Sequence, residues 1–349
     1  MVGTTKSKHL GLAVGTVLAL TGVTFPVAAQ DKSTGEGLTI GWSQRGISGS
    51  DWWKTMVAGG QAAADEIGAE LIVLDANGDT TRQNEDIRTL VTRGVDVIIV
   101  NPNDPIGLTA AVKMLKREGI PLVAVNSNLD DKLVPDLYCY VAEDQYATGA
   151  LAGEVIANEV VARWGDSAKV KLGSIGGFPG DVLSDLRFDG FMSGYNKVME
   201  NHSGIETTVL GMKFGEWKPD KALAPVRDLA TANPDLNVFF SMSDVMLGGI
   251  NQGLKLAGLY GDGLLMGSYD GGMNAIKQMI DEPEGPLRAN ASNQPWDQAQ
   301  LAVAMAVAAY NDDPDACPGK TNFVETVVVT PETADSYYDP EETYVRAQD

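Results

Sequence analysis

From residue 38 onward the chain alternates short β-branched apolar runs with longer segments of helical periodicity, a pattern that few architectures accommodate. The runs at 38–42, 69–74, 96–100 and 121–125 are too short for helices and rich in Val, Ile and Leu. Between them, 51–67, 80–93 and 107–118 return apolar residues at helical spacing, as Ile87, Leu90 and Val91 do. Strands separated by helices lie parallel, because only a long crossover brings the chain back in the same direction. Gly68, Gly94 and Gly119 follow the three helices, where a left-handed cap is wanted. A second series places strands at 170–174, 206–212, 237–240, 264–267 and 288–291, with helices at 182–199, 219–231, 245–257 and 274–280. One more helix is expected at 296–311 and one more strand at 323–329, ahead of an acidic tail. Two α/β lobes with parallel sheets are therefore expected.

Residues 1–29 read as a signal peptide. Lys6, Lys8 and His9 give a basic start, 10–23 an apolar stretch, and Pro26-Val27-Ala28-Ala29 a small-residue cleavage site. No later apolar stretch approaches the roughly 20 residues of a membrane span, and no cysteine near the cleavage point offers a lipid anchor. A free periplasmic protein is expected. The 349 residues less this leader leave 320, a comfortable length for two domains. The net charge of −21 becomes −23 once Lys6 and Lys8 are removed. A surface that acidic repels phosphate backbones and anionic lipid, so neither nucleic acid nor a membrane surface is an expected partner. His202 is the one histidine outside the leader, and it sits in a turn-like Asn201-His202-Ser203-Gly204. A histidine-based catalytic set or zinc site is thus hard to assemble. Cys139 and Cys317 belong to no CxxC motif, which argues against metal, and their spacing does not decide whether they pair. No cofactor, metal or catalytic residue is expected.

The most informative local stretch is Ser50-Asp51-Trp52-Trp53, at the passage from the first strand into the first helix. Helical neighbours point about 100° apart, so two adjacent tryptophans cannot both face the core. A flat ring beside a carboxylate suits a polyhydroxy ligand, whose C–H faces pack on the ring while its hydroxyls take hydrogen bonds. Alternatively, one ring packs under the sheet and the other staples the surface. In parallel sheets ligands lie beyond the carboxyl ends of the strands. The residues there are polar or acidic: Asn101 and Asn103, Asn126-Ser127-Asn128, Ser243-Asp244, Asp270 and Asn293-Gln294. The glycine-rich stretch 173–180 joins a strand to a helix, but its spacing is not GxGxxG and Pro179 withholds an amide. A tight turn is expected there rather than a nucleotide site.

Taken together, several short patterns in order resemble the ribose/galactose-type (type I) periplasmic binding proteins of sugar ABC transporters. They are Ser50-Asp51-Trp52-Trp53, the helix from Gly59-Gly60-Gln61 to Asp65, Asn101-Pro102 and Gly119-Ile120-Pro121-Leu122-Val123. Val141-Ala142-Glu143-Asp144, then Ser184 with Arg187, Gly190 and Phe191, and finally Ser268-Tyr269-Asp270-Gly271 complete the set, which covers nearly all of the mature sequence. The resemblance implies two Rossmann-like lobes joined by a three-crossover hinge, one at 37–142 plus 294–325 and the other at 143–293 plus 326–349. It places Trp52 and Trp53 as the aromatic pair of the first lobe, and Trp217 as the aromatic of the second. Asn126 falls where many relatives have Asp followed by Arg, Asp185 where many have Arg, and Ser243-Asp244 where Asn-Asp is usual. Asp270 and Asn293 match an acidic and an amide ligand position.

The expected ligand set is thus Ser43, Asp51, Trp52, Trp53, Asn126, Asp185, Trp217, Asp244, Asp270 and Asn293. The usual arginine clamps are missing from these positions, with Arg45 or Arg187 as substitutes, although Arg187 also suits a role in holding the strand-helix turn. So many aspartates favour a donor-rich ligand such as a polyol, an inositol-like or deoxy sugar, or a cationic compound. The resemblance implies a monomeric exported receptor that delivers a sugar or polyol to an ABC permease. A receptor for a small signal or cationic compound, and a carboxylate-based glycoside-processing enzyme, are the alternatives.

Overall fold

The computed structural model describes residues 35–347, and the expected signal peptide lies outside the described residues. The chain begins β1 (Thr39–Gln44), α1 (Asp51–Ile67), β2 (Glu70–Asp75), α2 (Thr80–Thr92), β3 (Val97–Val100), α3 (Thr109–Glu118), β4 (Leu122–Val125) and β5 (Cys139–Ala142). It continues α4 (Gln145–Trp164), β6 (Lys169–Gly176), α5 (Val182–Met199), β7 (Glu206–Val209), β8 (Lys213–Phe214), α6 (Pro219–Ala232) and β9 (Val238–Ser241). Then come α7 (Leu247–Leu256), β10 (Leu265–Asp270), α8 (Met273–Asp281), β11 (Leu287–Ser292), α9 (Pro295–Tyr310), β12 (Thr321–Phe323), β13 (Val327–Val329) and α10 (Ala334–Tyr337).

The strands form two sheets. The first, in the order β12-β5-β4-β3-β1-β2, is parallel throughout. The second runs β13-β11-β10-β9-β6-β7 with β8 also on β6, and only β13 is antiparallel to its neighbour. Helices cover both faces of each sheet, which explains why β3 and β4 are buried at every position and read as unbroken apolar runs. The two-residue period sorts the side chains. Val97 and Ile99 pack towards α1 and α9, whereas Ile98 and Val100 pack towards α2 and α3. The expected capping glycines adopt φ of +74° (Gly68), +77° (Gly94) and +72° (Gly119).

Four elements have no counterpart among the expected ones: β5, α4 and the short β8 and α10. Helix α4 packs on α5 with almost no space between the backbones. A Cβ on Gly153 would lie 2.0 Å from the Phe191 carbonyl oxygen, and one on Gly194 would lie 1.8 Å from that of Ala150. The expected strand at 323–329 is in fact two. β12 extends the first sheet beside β5, and after three residues β13 joins the second beside β11. Cys139 of β5 is disulfide-bonded to Cys317, with Cα atoms 5.9 Å apart, which settles the pairing that spacing left open.

The chain passes between the sheets three times: from β5 into α4, from β11 into α9, and from β12 into β13. In each sheet the order reverses beside the earliest strand, β1 or β6. The crevice beyond the carboxyl ends at such a reversal is where ligands bind in open α/β sheets.

Candidate functional site

A cleft of about 550 Å³ lies between the two sheets' carboxyl ends, and seven of the ten expected ligand residues line it. Asp51, Trp52, Trp53 and Asn126 come from the first side; Trp217 and Asp270 come from the second, and Asn293 from a connection between them. On the first side the loop after β1 folds against Trp53, with the Arg45 guanidinium 4.8 Å from the ring centroid. Trp52 packs partly on the core beneath α1, yet it also lines the cleft. The buried Nε of Arg45 and Nε1 of Trp52 have no hydrogen-bond partner within the described residues. Both residues line the cleft, so each of these N–H groups lies beside the space a ligand would fill.

The opposite wall is built around Trp217. The glycine stretch after β6 does make the expected tight turn: Gly177 N–H donates to Ser184 Oγ at 3.0 Å, and Asp181 caps α5. It also has a second use. A Cβ on Gly177 would lie 2.0 Å from the Trp217 indole, so only glycine lets the ring lie flat on the backbone there. Trp217 is fixed in turn by Pro219, which opens α6, and by a left-handed backbone at φ +55°. Asn126 (+62°) and Asp270 (+114°) share this uncommon conformation. For side chains other than glycine it costs on the order of 1–3 kcal/mol each, and it persists where the surroundings dictate it. Asn126 is held by its N–H on the Val141 carbonyl at 2.8 Å and by Tyr140 Oη, which donates to its carbonyl at 3.0 Å.

At the base lies an ion pair. Arg187 Nη1 donates to Asp270 Oδ1 at 2.8 Å and to the Met242 carbonyl at 2.5 Å, while its Nε donates to Gln145 Oε1 at 2.6 Å. The guanidinium also lies 4.0 Å from the centroid of Tyr269. Burial alone would lower its pKa, but Asp270, Tyr269 and Glu143 outweigh burial and raise it above the ordinary value. Ser243 Oγ donates to Asp270 Oδ2 at 2.5 Å. Each Asp270 oxygen therefore has a fixed donor and keeps acceptor capacity towards the cleft. Asn293 Oδ1 accepts from Gln298 Nε2 at 2.7 Å, which leaves its Nδ2 as the group available to a ligand.

Three expected ligand residues stand elsewhere. Ser43 is fully buried in β1, on the face turned to α2, and its carbonyl accepts from the Asn101 N–H at 3.1 Å and from Gln83 Nε2. Asp185 is exposed, because Leu183 and Arg187 share the cleft-facing side of α5 and Asp185 lies about 200° around the helix from Leu183. Asp244 is buried behind the wall, where its carboxylate accepts from Ser268 Oγ, Gly272 N–H (2.7 Å) and Asn290 Nδ2 (2.8 Å). Burial, reinforced by the nearby Asp270 carboxylate, pushes Asp244 up to about 8 against the pull of those donors. In its place the neighbouring Ser243 reaches the cleft, as do Arg45, Arg187 and Tyr344. Arg187 thus serves as more than a turn support. Tyr344 lies in the acidic tail, far along the chain from any strand end, and no sequence pattern marks it.

The first connection between the sheets carries a further buried acid. Glu143 accepts from Tyr269 Oη at 2.8 Å. Burial pushes it up to about 7, only partly offset by the Thr148 hydroxyl, by Arg187 and by the Tyr269 hydrogen bond. Between its ordinary value of 4.5 and about 7, the folded chain holds a proton that the unfolded chain has released. The associated stability is full below about pH 4.5 and falls by about 3 kcal/mol as pH rises through 7. Asp244 acts in the same direction. Glu143→Gln is expected to flatten, without abolishing, the decline in Tm measured by calorimetry from pH 4 to 8.

The periplasmic binding protein domain family matches residues 40–313. The ribose import binding protein RbsB of Bacillus subtilis is 26% identical over 268 residues, covering 77% of this chain and 80% of its own. The xylitol-binding protein of Mycolicibacterium smegmatis is 30% identical over 210 residues, 60% of this chain and 56% of its own. Among solved structures, an ABC transporter solute binding protein from Mycobacterium smegmatis with bound glycerol superposes with a TM-score of 0.71 at 26% identity. The match covers 89% of this chain and 99% of that one.

Proposed function

This chain belongs to the periplasmic binding protein domain family, and from that we propose that it is an exported receptor. In this reading it captures a sugar or polyol in the cleft and presents it to an ABC permease. The observation that supports the ligand class most directly is the pairing of aromatic faces on both walls with a buried acceptor between them. Trp52 and Trp53 stand on one side, Trp217 on the other, and Asp270 at the base. Such a site stacks the C–H faces of a small polyhydroxylated molecule and takes its hydroxyl protons. The names of the similar proteins, which mention ribose, xylitol and glycerol, point the same way.

The lobes are proposed as residues 37–142 with 294–325 and 143–293 with 326–349, with the three connections acting as the hinge. Ligand contacts from both walls favour the closed form, and the closed form is what the permease recognises. No bond is made or broken. Asp270 is held as an acceptor by Arg187 and Ser243, and the buried carboxyls with raised pKa values, Glu143 and Asp244, do not line the cleft. A proton donor of the kind glycoside hydrolysis needs is therefore not offered to a ligand there.

The test is a thermal-shift screen of the mature chain against pentoses, hexoses, polyols, inositols, amino acids and polyamines. A ligand at a thousandfold excess over its Kd stabilises the native state by about 4 kcal/mol, a rise of several degrees in Tm. Hits confined to sugars or polyols are expected. Hits confined to amines would recast Asp51 and Asp270 as charge partners and overturn the ligand class. For the best hit, Trp53→Ala is expected to cost about 2 kcal/mol, roughly thirtyfold in Kd by titration calorimetry.

A further inference from the structure

The C-terminal segment returns to the cleft after β13 and α10 have left it. Met273 N–H donates to the Thr343 carbonyl at 2.9 Å, Val345 N–H donates to that of Gly271 at 2.7 Å, and Gly272 and Tyr344 form an antiparallel bridge. This end is fixed to the loop after β10, in the second sheet. Two residues on, the Arg346 guanidinium lies 3.5 Å from the centroid of Trp296, and Ala347 N–H donates to Asp297 Oδ2 at 3.2 Å. Trp296 and Asp297 form the first turn of α9, which packs on α1 and the first sheet. A Cβ on Gly59 of α1 would lie 2.8 Å from the Trp296 carbonyl oxygen, so that turn is seated tightly. Five residues thus join the two sides at one end of the cleft.

Tyr344 lies between these anchors. It is 7% exposed. Tyr344 lines the 550 Å³ cleft and also a 180 Å³ pocket formed with Met273, Tyr337, Glu342 and Arg346, and so is shared by the two. Burial, then the carboxylates of Asp270, Asp244 and Asp51, hold the phenol well above its ordinary range, which keeps it a neutral hydroxyl able to donate.

We propose that Tyr344 is a ligand-binding residue of the cleft and that residues 343–347 form a strap which closes its end and sets the longest ligand it admits. The ring ends the cavity at the size of a single sugar or short polyol, and the hydroxyl bonds to the ligand's terminal oxygen. This inference rests on the sugar or polyol reading of the cleft, and its test separates the two.

Titration calorimetry of xylitol, ribose, xylose and the disaccharide alcohol maltitol would compare the wild type with Tyr344→Phe and Tyr344→Ala. Tyr344→Phe keeps the wall and the fold but removes the hydroxyl, and a three- to tenfold weaker Kd for the best single-unit probe is expected. Tyr344→Ala joins the cleft to the neighbouring pocket, and it is expected to weaken that probe further while narrowing its preference over maltitol at least tenfold. Unchanged affinities in both variants, beside a wild type that binds, would overturn the strap and leave the cleft reading intact. A wild type that binds none of the four, nor any sugar or polyol of the thermal-shift screen, would overturn the cleft reading and the strap with it.

Discussion

Asp270→Ala is expected to destabilise the protein by about 3–5 kcal/mol and to remove measurable ligand binding in the same step. The stability loss follows from what the substitution leaves behind. Arg187 is 5% exposed and, among the described residues, has Asp270 as its one carboxylate partner at bonding distance, so alanine leaves a buried guanidinium without its counter-charge. The binding loss is separate, because the same carboxylate is the cleft's buried acceptor and bonds to a charged group contribute about 1.5–3 kcal/mol each. Two measurements distinguish the effects. Urea denaturation reads the first and calorimetric titration the second, and Asp270→Asn keeps the shape while removing the charge. If Asp270→Ala unfolded at the same urea concentration as the wild type, the ion pair would have no part in holding the wall.

Removal of the Cys139–Cys317 bridge is expected to cost about 2–5 kcal/mol, with the effect confined to stability. The two cysteines are 178 residues apart in sequence, and joining positions so distant removes much of the freedom of the unfolded chain. The bond also secures β12, a three-residue edge strand whose sheet neighbour is β5. Neither cysteine lines the cleft. A Cys139→Ala/Cys317→Ala chain should therefore unfold at a lower urea concentration and bind its ligand with little change in Kd. Reduced wild-type protein should match it, and a double variant as stable as the oxidised wild type would show the bridge to be dispensable.

What the sequence made legible depended on how each segment is buried. β3 and β4 are apolar at every position because helices cover both faces, and short Val- and Ile-rich runs admit few other readings. Helix α4 is nearly the opposite case. It is wedged against α5 and the second sheet, its apolar and small residues are spread around the helix, and the periodicity that marks an amphipathic segment fades. β12 and β13 merged because Val and Phe read as strand wherever they pair, and the choice of sheet is made by tertiary contacts. At the site, Trp52, Trp53, Asn126 and Asp270 were visible because residues after strand ends face the crevice. Within α5 the resemblance pointed to Asp185, but the face shared with Leu183 belongs to Arg187, one helical turn further on. Tyr344 reaches the cleft only through the path of the tail, which no local pattern encodes.

The order in which the first sheet is completed has a consequence for how the chain folds as it is made. One face of that sheet is covered by α9, whose Ala299, Ala302, Val303 and Ala306 are packed among Ile40, Val97 and Val123, and its outer strand β12 begins at Thr321. The N-terminal part of that sheet therefore emerges from the ribosome first but cannot finish burying this face until some 150 further residues, β6 to β11 of the second sheet among them, have followed. Contacts of such long sequence separation form slowly, because the intervening loop must close before they are rewarded. The first sheet of a nascent chain of this design thus stays incomplete until the last fifth of the chain is made.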